Sequence, residues 1–200
     1  MVPFPAGSPD VRPGPVHRPG AHTRSGNAMG RTRQGLLAGA ARAFAESGVR
    51  RSTMQSIAAA AGVAKATLYN HFRTKDDVVA ALVRAELDRL TELAASLPLE
   101  QALGTLSDDL GAHPVLRTLA AVEPETLTAL LNGAPDTWTH LTARLANALR
   151  IDADGAELAG QWLLGVVLQP GRSTSRHRHA ARLAGVLVPV SSVRAAEPPG

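Results

Sequence analysis

Cysteine is absent from the 200 residues, which removes disulfides, thiol catalysis, thiol redox sensing and Cys-ligated zinc in one step. Aromatic residues are almost as scarce. Phe4, Phe44, Tyr69, Phe72, Trp138 and Trp162 are the whole set, 3% of positions. With 44% of the chain hydrophobic, a core must be built from Leu, Val and Ala, which suits helices better than sheets. Long apolar runs are missing too. The stretch from Trp162 to Leu168 is about one third of the ~20 residues that a spanning helix needs. The first thirty residues lack the apolar stretch of a secretory signal, so no membrane segment is expected and the cytoplasm is the expected location.

Acidic residues are scarce in the amino-terminal part of the chain only. Residues 1–75 hold eleven Lys/Arg against Asp10 and Glu46, a balance of +9, whereas residues 76–200 carry a balance of −5 within the total of +4. A basic amino-terminal part joined to an acidic remainder is the pattern of a polyanion-binding module attached to a non-binding one.

Proline and glycine divide the chain. Residues 1–29 contain Pro3, Pro5, Pro9, Pro13, Pro15 and Pro19 with Gly7, Gly14, Gly20 and Gly26, and no apolar period survives among them. This segment reads as a disordered leader, with Met29 standing where a helical pattern begins. From Arg31 the pattern is helical: Leu37, Ala40, Ala41 and Phe44 share one face, and Gly48 ends the run as a cap would. Ser52-Thr53-Met54-Gln55 reads as a capping box, with Ser52 as the cap and Gln55 reaching back. A short second helix carries Ile57 and Ala61 inward and stops at Gly62, and a third runs from about Ala64 to His71. Thr74 is the expected cap of a long fourth helix from Lys75 to before Pro98, with Val79, Leu82, Val83, Leu87 and Leu90 as its buried stripe. Further helices are expected near 99–111, 114–121, 124–132, 136–149, 154–169 and 176–188. The fold class is all-α.

Two short helices joined by a tight glycine turn make a helix-turn-helix at residues 52–72. In its second helix Ala64, Leu68 and Phe72 recur at i+4 and face inward toward Ile57 and Phe44. Lys65 and Tyr69 form one outward pair, and Ala66 and Asn70 the adjacent one. That stripe suits base edges: Lys for guanine acceptors, Asn for adenine, the Ala methyl for a thymine methyl. Thr53, Thr67, His71 and Lys75 stand at helix starts or ends, where they can reach phosphates and set register. No acid occurs from Ser47 to Lys75 to repel a duplex.

Arg33, Leu37, Ala40, Phe44, Gly48, Thr53, Ile57-Ala58, Ala61-Gly62-Val63, Lys65, Thr67-Leu68-Tyr69, His71-Phe72 and Lys75-Asp76 together resemble the amino-terminal domain of TetR/AcrR-type repressors over about residues 31–80. The spacing is kept through three helices. Val49 is a departure, since the family often has an aromatic there. The resemblance implies that Lys65, Ala66, Thr67, Tyr69, Asn70 and His71 face DNA, with Thr53 and Lys75 on phosphates. It also implies a homodimer whose last two helices pair into a four-helix bundle, here with Trp162, Leu163, Val166, Val167, Leu183, Val186 and Leu187 as the expected interface. The middle helices would enclose a pocket for a small-molecule effector.

The expected organisation is a leader (1–29), a three-helix DNA-binding domain (30–74), a helical effector-binding and dimerisation domain (75–190) and a disordered tail (191–200). Pocket candidates are His113, Trp138, His140 and Gln161, within walls that are otherwise aliphatic. The run Arg172, Arg176, His177, Arg178, His179, Arg182 reads as a solvated loop and helix start. Its two histidines are two apart and point away from each other on a helix, so no shared metal is expected. No hydrolase elbow, zinc helix, phosphate loop or dinucleotide fingerprint occurs, so neither an enzyme nor a cofactor is expected. A palindromic operator bound by a ligand-released repressor is the leading expectation. A non-sensing DNA-binding protein and a helical enzyme with an incidental helix pair are the alternatives.

Overall fold

The structure, a computed structural model, describes residues 21–132 and 136–187, with side chains over 30–130 and 136–187. The expected leader as far as Gly20 and the expected tail 191–200 lie outside the described residues. Every element described is a helix: α1 (Ala21–Arg51), α2 (Met54–Ala61), α3 (Lys65–His71), α4 (Lys75–Ala95) and α5 (Leu99–Ala112), then α6 (Pro114–Val122), α7 (Pro124–Asn132), α8 (Thr137–Leu149), α9 (Ala153–Leu168) and α10 (Ser173–Val186). No helix among the described residues is long and apolar enough to cross a membrane.

α1 begins at Ala21, inside the segment expected to lack structure. After Pro19 the next proline is Pro98, so nothing breaks the upstream backbone ladder. Extending an existing helix costs far less than nucleating one. At the other end Gly48 takes a left-handed φ of 77° and breaks the helix, as its position suggested. The cap of α2 is one residue later than expected. Thr53 Oγ1 accepts from the Ser56 amide, and Ser56 Oγ accepts from the Thr53 amide. Ser52 is instead buried, its hydroxyl donating to the Gly48 and Ala43 carbonyls. Gly62 at φ 68° closes α2. Thr74 caps α4 reciprocally with Asp77.

Leu36, Leu37, Ala40, Phe44, Ile57, Ala58, Leu68 and Phe72 fill the centre of the first three helices. Phe44 is 1% exposed, and burial of a side chain that size is worth roughly 2–3 kcal/mol. Ala64 lies outside this core: it is exposed, because it is the extended N-cap of α3 and not its first helical residue. The core does not close at α3. It continues through Val78 of α4, Val115 and Leu119 of α6, Leu127 of α7 and Val167 of α9. A second core joins α4, α5, α8, α9 and α10 through Ala94, Leu103, Leu106, Leu149, Ala156, Leu163 and Ala180. On α4 the deepest residues are Val78 and Ala94, whereas Val83 is 37% exposed. The other expected stripe residues, Val79, Leu82, Leu87 and Leu90, are half-buried, so Val83 alone leaves the packed face.

Part of the basic run near residue 176 is a staple and not a solvated surface. The Asp108 carboxylate of α5 accepts from Ser173 Oγ at 2.8 Å and from the Arg176 guanidinium at 2.6 Å. Its second oxygen lies 2.6 Å from His177 Nε2. Burial opposes ionisation of this carboxyl, but the His177, Ser173 and Arg176 donors outweigh it and hold Asp108 at about 2.

Two outcomes test these contacts. A Cβ on Gly39 would overlap Ala61 where α1 crosses α2, while one on Gly35 would meet open space. Gly39→Ala should therefore cost about 2 kcal/mol of stability through overpacking. Gly35→Ala should be neutral or stabilise by up to about 1 kcal/mol; urea unfolding followed by circular dichroism reads both, and a Gly39 variant as stable as the parent would disprove the close crossing. Because Asp108 is lowered from 3.8 to about 2, its stabilisation is present above the ordinary carboxylate range and lost as pH falls through about 2. The Asp108→Asn variant should show a flatter dependence of melting temperature between pH 4 and pH 2.

Candidate nucleic-acid interface

α3 is too short to hold itself together and is held by what it buries. Leu68 is fully buried and Phe72, its C-cap, is 4% exposed, while Lys65, Ala66, Tyr69 and Asn70 are exposed on the other side. The Lys65 ammonium stands 5.6 Å over the Tyr69 ring, so the two outward residues form one unit. Thr67 and His71 are half-buried at the flanks of the face. Thr53 is exposed at the start of α2, its oxygen accepting the cap bond and its hydroxyl hydrogen left to donate.

Lys75 was expected on phosphates, and its ammonium is engaged elsewhere. Nζ donates to the carbonyls of Val49 at 2.8 Å, Ser52 at 3.1 Å and Arg50 at 3.2 Å. An ammonium has three donors, and these acceptors take all of them. The carbonyls at the broken end of α1 need a donor because no helical amide follows. Lys75 thus secures the α1–α2 turn.

Glu123 grips the opposite side of that turn, a role that its sequence context gives no sign of. It is 4% exposed at the end of α6, and both carboxylate oxygens accept from the Arg50 amide at 3.1 Å. A Cβ on Gly48 would collide with this carboxylate, so glycine is required there both for space and for its left-handed backbone. Thr118 of α6 donates to the Ala45 carbonyl at 2.7 Å, and Arg50 pairs with Glu125 at the surface. Arg33 is a further unforeseen neighbour of the interface, its guanidinium 4.9 Å over the Phe72 ring.

The four pocket candidates do not converge. His113 caps α6, with Nδ1 accepting from the Leu116 amide and Nε2 at 3.5 Å from Glu86. Trp138 packs over Gly160. His140 is exposed, and Gln161, also exposed, donates to Glu157. They sit at the α5–α6 junction, on α8 and on α9, a dispersal that spacing alone could not reveal. An open cavity of about 230 Å³ lies elsewhere, lined by Trp162, Gly165, Val166, Pro170, Arg176 and His179.

Several residues of the expected subunit interface are buried within the chain itself. Leu163, Val166, Val167 and Leu187 are 7, 5, 9 and 6% exposed. Leu163, Val166 and Val167 are consumed because α9 packs against α5, α6 and α8, and Leu187, the C-cap of α10, packs into the second core. Trp162 and Leu183 are half-buried, and Val186 is 70% exposed. The uncovered face of α9 is instead Leu158, Gln161, Gly165 and Leu168, with Leu158 and Leu168 45 and 54% exposed.

Residues 36–82 match the model of the family described as bacterial regulatory proteins, tetR family. Over 119 residues the chain is 31% identical to the transcriptional repressor Rv1474c of Mycobacterium tuberculosis, covering 58% of this chain and 61% of that one. It is 43% identical over 72 residues to the repressor KstR2 of Rhodococcus jostii, covering 36% of this chain and 34% of that one. These matches therefore span from about a third to three-fifths of the relatives' own length. Among solved structures, the fatty acid degradation regulator FadR from Bacillus halodurans shares the fold, with a TM-score of 0.59 at 18% identity. That likeness covers 78% of this chain and 93% of that one. The ketosteroid regulator KstR2 of Mycobacterium tuberculosis is similar at a TM-score of 0.51 and 20% identity, over 78% of this chain and 94% of that one.

The two lysines separate reading from scaffolding. Lys65→Ala should cost about 1–3 kcal/mol on a preferred duplex and relax base preference. Lys75→Met should lower the melting temperature and weaken all duplexes alike without flattening the salt dependence. Fluorescence anisotropy against a salt series distinguishes them. A flatter slope for the Lys75 variant would return that residue to the phosphates.

Proposed function

We propose that this chain, whose residues 36–82 form a tetR-family amino-terminal domain, is a transcriptional repressor that binds palindromic operator DNA as a homodimer and is released by a small-molecule effector. The observation that carries the reading is the two-sided α3: Leu68 buried, Lys65, Ala66, Tyr69 and Asn70 exposed, and no acid between Ser47 and Lys75. That face would enter the major groove, with Thr53, Thr67 and His71 on the backbone. One helix of seven residues reads few base pairs, so two-fold pairing is what gives a useful site. The apolar stripe of Leu158, Gly165 and Leu168 with Val186 supports α9 and α10 as the pairing surface.

Release needs an effector that binds one arrangement of the heads better than the other, with coupling of ~1–3 kcal/mol in typical cases. Glu123 and Thr118 tie α6 to the end of α1, so a shift of α6 would be carried directly to the reading head. The interior is aliphatic, which favours an apolar effector.

Selection from a random duplex pool by the full chain, followed by gel shift and sedimentation, tests the proposal. An inverted repeat should be enriched, with half-site centres about 34 Å or a multiple apart, occupied by an even number of chains. Failure to enrich any sequence would overturn it.

A further inference from the structure

The open cavity of about 230 Å³ at the junction of α9 and α10 has a lining of two kinds. Trp162 and Val166 of α9, with Pro170 of the connecting turn, give it an apolar wall. Arg172, Arg176 and His179 supply the N–H donors. No Asp or Glu lines it.

Arg176 is fixed before any ligand arrives. Its side chain is 12% exposed, with Nη2 donating to Asp108 at 2.6 Å and Nη1 to the Pro170 carbonyl at 2.7 Å. Nε is buried and has no acceptor among the described residues. A buried N–H left unpaired is costly, and an incoming oxygen would relieve that cost. Arg172 and His179 are exposed, and neither side chain has a hydrogen-bond or ion-pair partner among the described residues. Asp108, the acid in contact with Arg176, is itself shared with His177, so the cations around the cavity outnumber the acids. α10 also begins here without a side-chain cap, which adds the positive end of its dipole.

An apolar wall beside fixed guanidinium donors suits an organic anion, and a carboxylate is the group that such donors match best. The volume is below the ~300–1,000 Å³ of sites for drug-sized ligands, so the anion must be compact. We propose that this cavity binds a small carboxylate, its ring or short chain against Trp162 and Val166 and its oxygens toward Arg172, His179 and Arg176 Nε. The inference goes beyond the operator reading and stands without it.

Phenylacetate is the test probe, phenylacetamide its uncharged match and inorganic phosphate the anion without an apolar body. Each is titrated into the full chain, free of DNA, by calorimetry and by tryptophan emission, since Trp162 lines the cavity. Phenylacetate should saturate with a dissociation constant below about 1 mM, and the amide and phosphate should each bind about tenfold more weakly or worse. Arg172→Ala with His179→Ala should keep the parent's melting temperature, weaken phenylacetate about tenfold and leave the amide unchanged. Gly165→Phe, whose Cβ meets open space, should fold as the parent does and lose phenylacetate. Absence of saturable binding, which a second copy seated in the cavity would also produce, overturns the proposal. Equal affinity for acid and amide, or variants that bind as the parent does, overturn it too. Because no duplex is present, each of these results leaves the operator reading as it was. Failure to enrich an operator leaves binding at this cavity untouched.

Discussion

The turn between α1 and α2 is the constraint on which the arrangement depends. Glu123 holds its amide at Arg50, Lys75 holds its carbonyls at Val49, Arg50 and Ser52, and the Ser52 hydroxyl ties it back to Gly48. A buried carboxylate without a donor, or an ammonium without acceptors, is strongly unfavourable. The two side chains therefore define where the turn must sit. They come from different elements, α6 and α4, so the turn is where three parts of the chain agree on a geometry. α2 starts from it, and α3 is packed on α2.

That grip is consistent with the first three helices not closing a core of their own. Their core runs on into Val115, Leu119, Leu127 and Val167, so their stability is shared with the body. A displacement of α6 would therefore disturb the packing of the first three helices, because packed interiors yield in discrete steps and not continuously. The network of Glu86, Arg89 and Asp109 between α4 and α5, and the Arg144 to Asp88 bond between α8 and α4, add polar ties along the same connecting helix.

Most of the helix plan was legible because proline, glycine and capping residues are local signals. The segments from α5 to α9 fall within a residue or two of the positions that punctuation suggested, and Leu68 is buried and Tyr69 exposed as the i+4 pattern of α3 required. What could not be read was long-range. Glu123 meets Arg50 across 73 residues, and nothing in its neighbourhood marks it as buried. Lys75 looked like a phosphate ligand because lysines at helix starts often are, while its acceptors are created only by folding. The face of α9 was misjudged for a related reason. A helix packed on several neighbours carries apolar residues all round, and periodicity then no longer tells which side is left uncovered.

The sparse aromatic set has a spectroscopic consequence. Both indoles, Trp138 on α8 and Trp162 on α9, belong to the body, whereas the single phenol, Tyr69, stands on the reading helix. Light that excites indole and not phenol thus reports only on α8 and α9, and a tryptophan emission melt would follow that part alone. The phenol on α3 is a separate chromophore, so one unlabelled molecule carries optical reporters in two different parts of the fold.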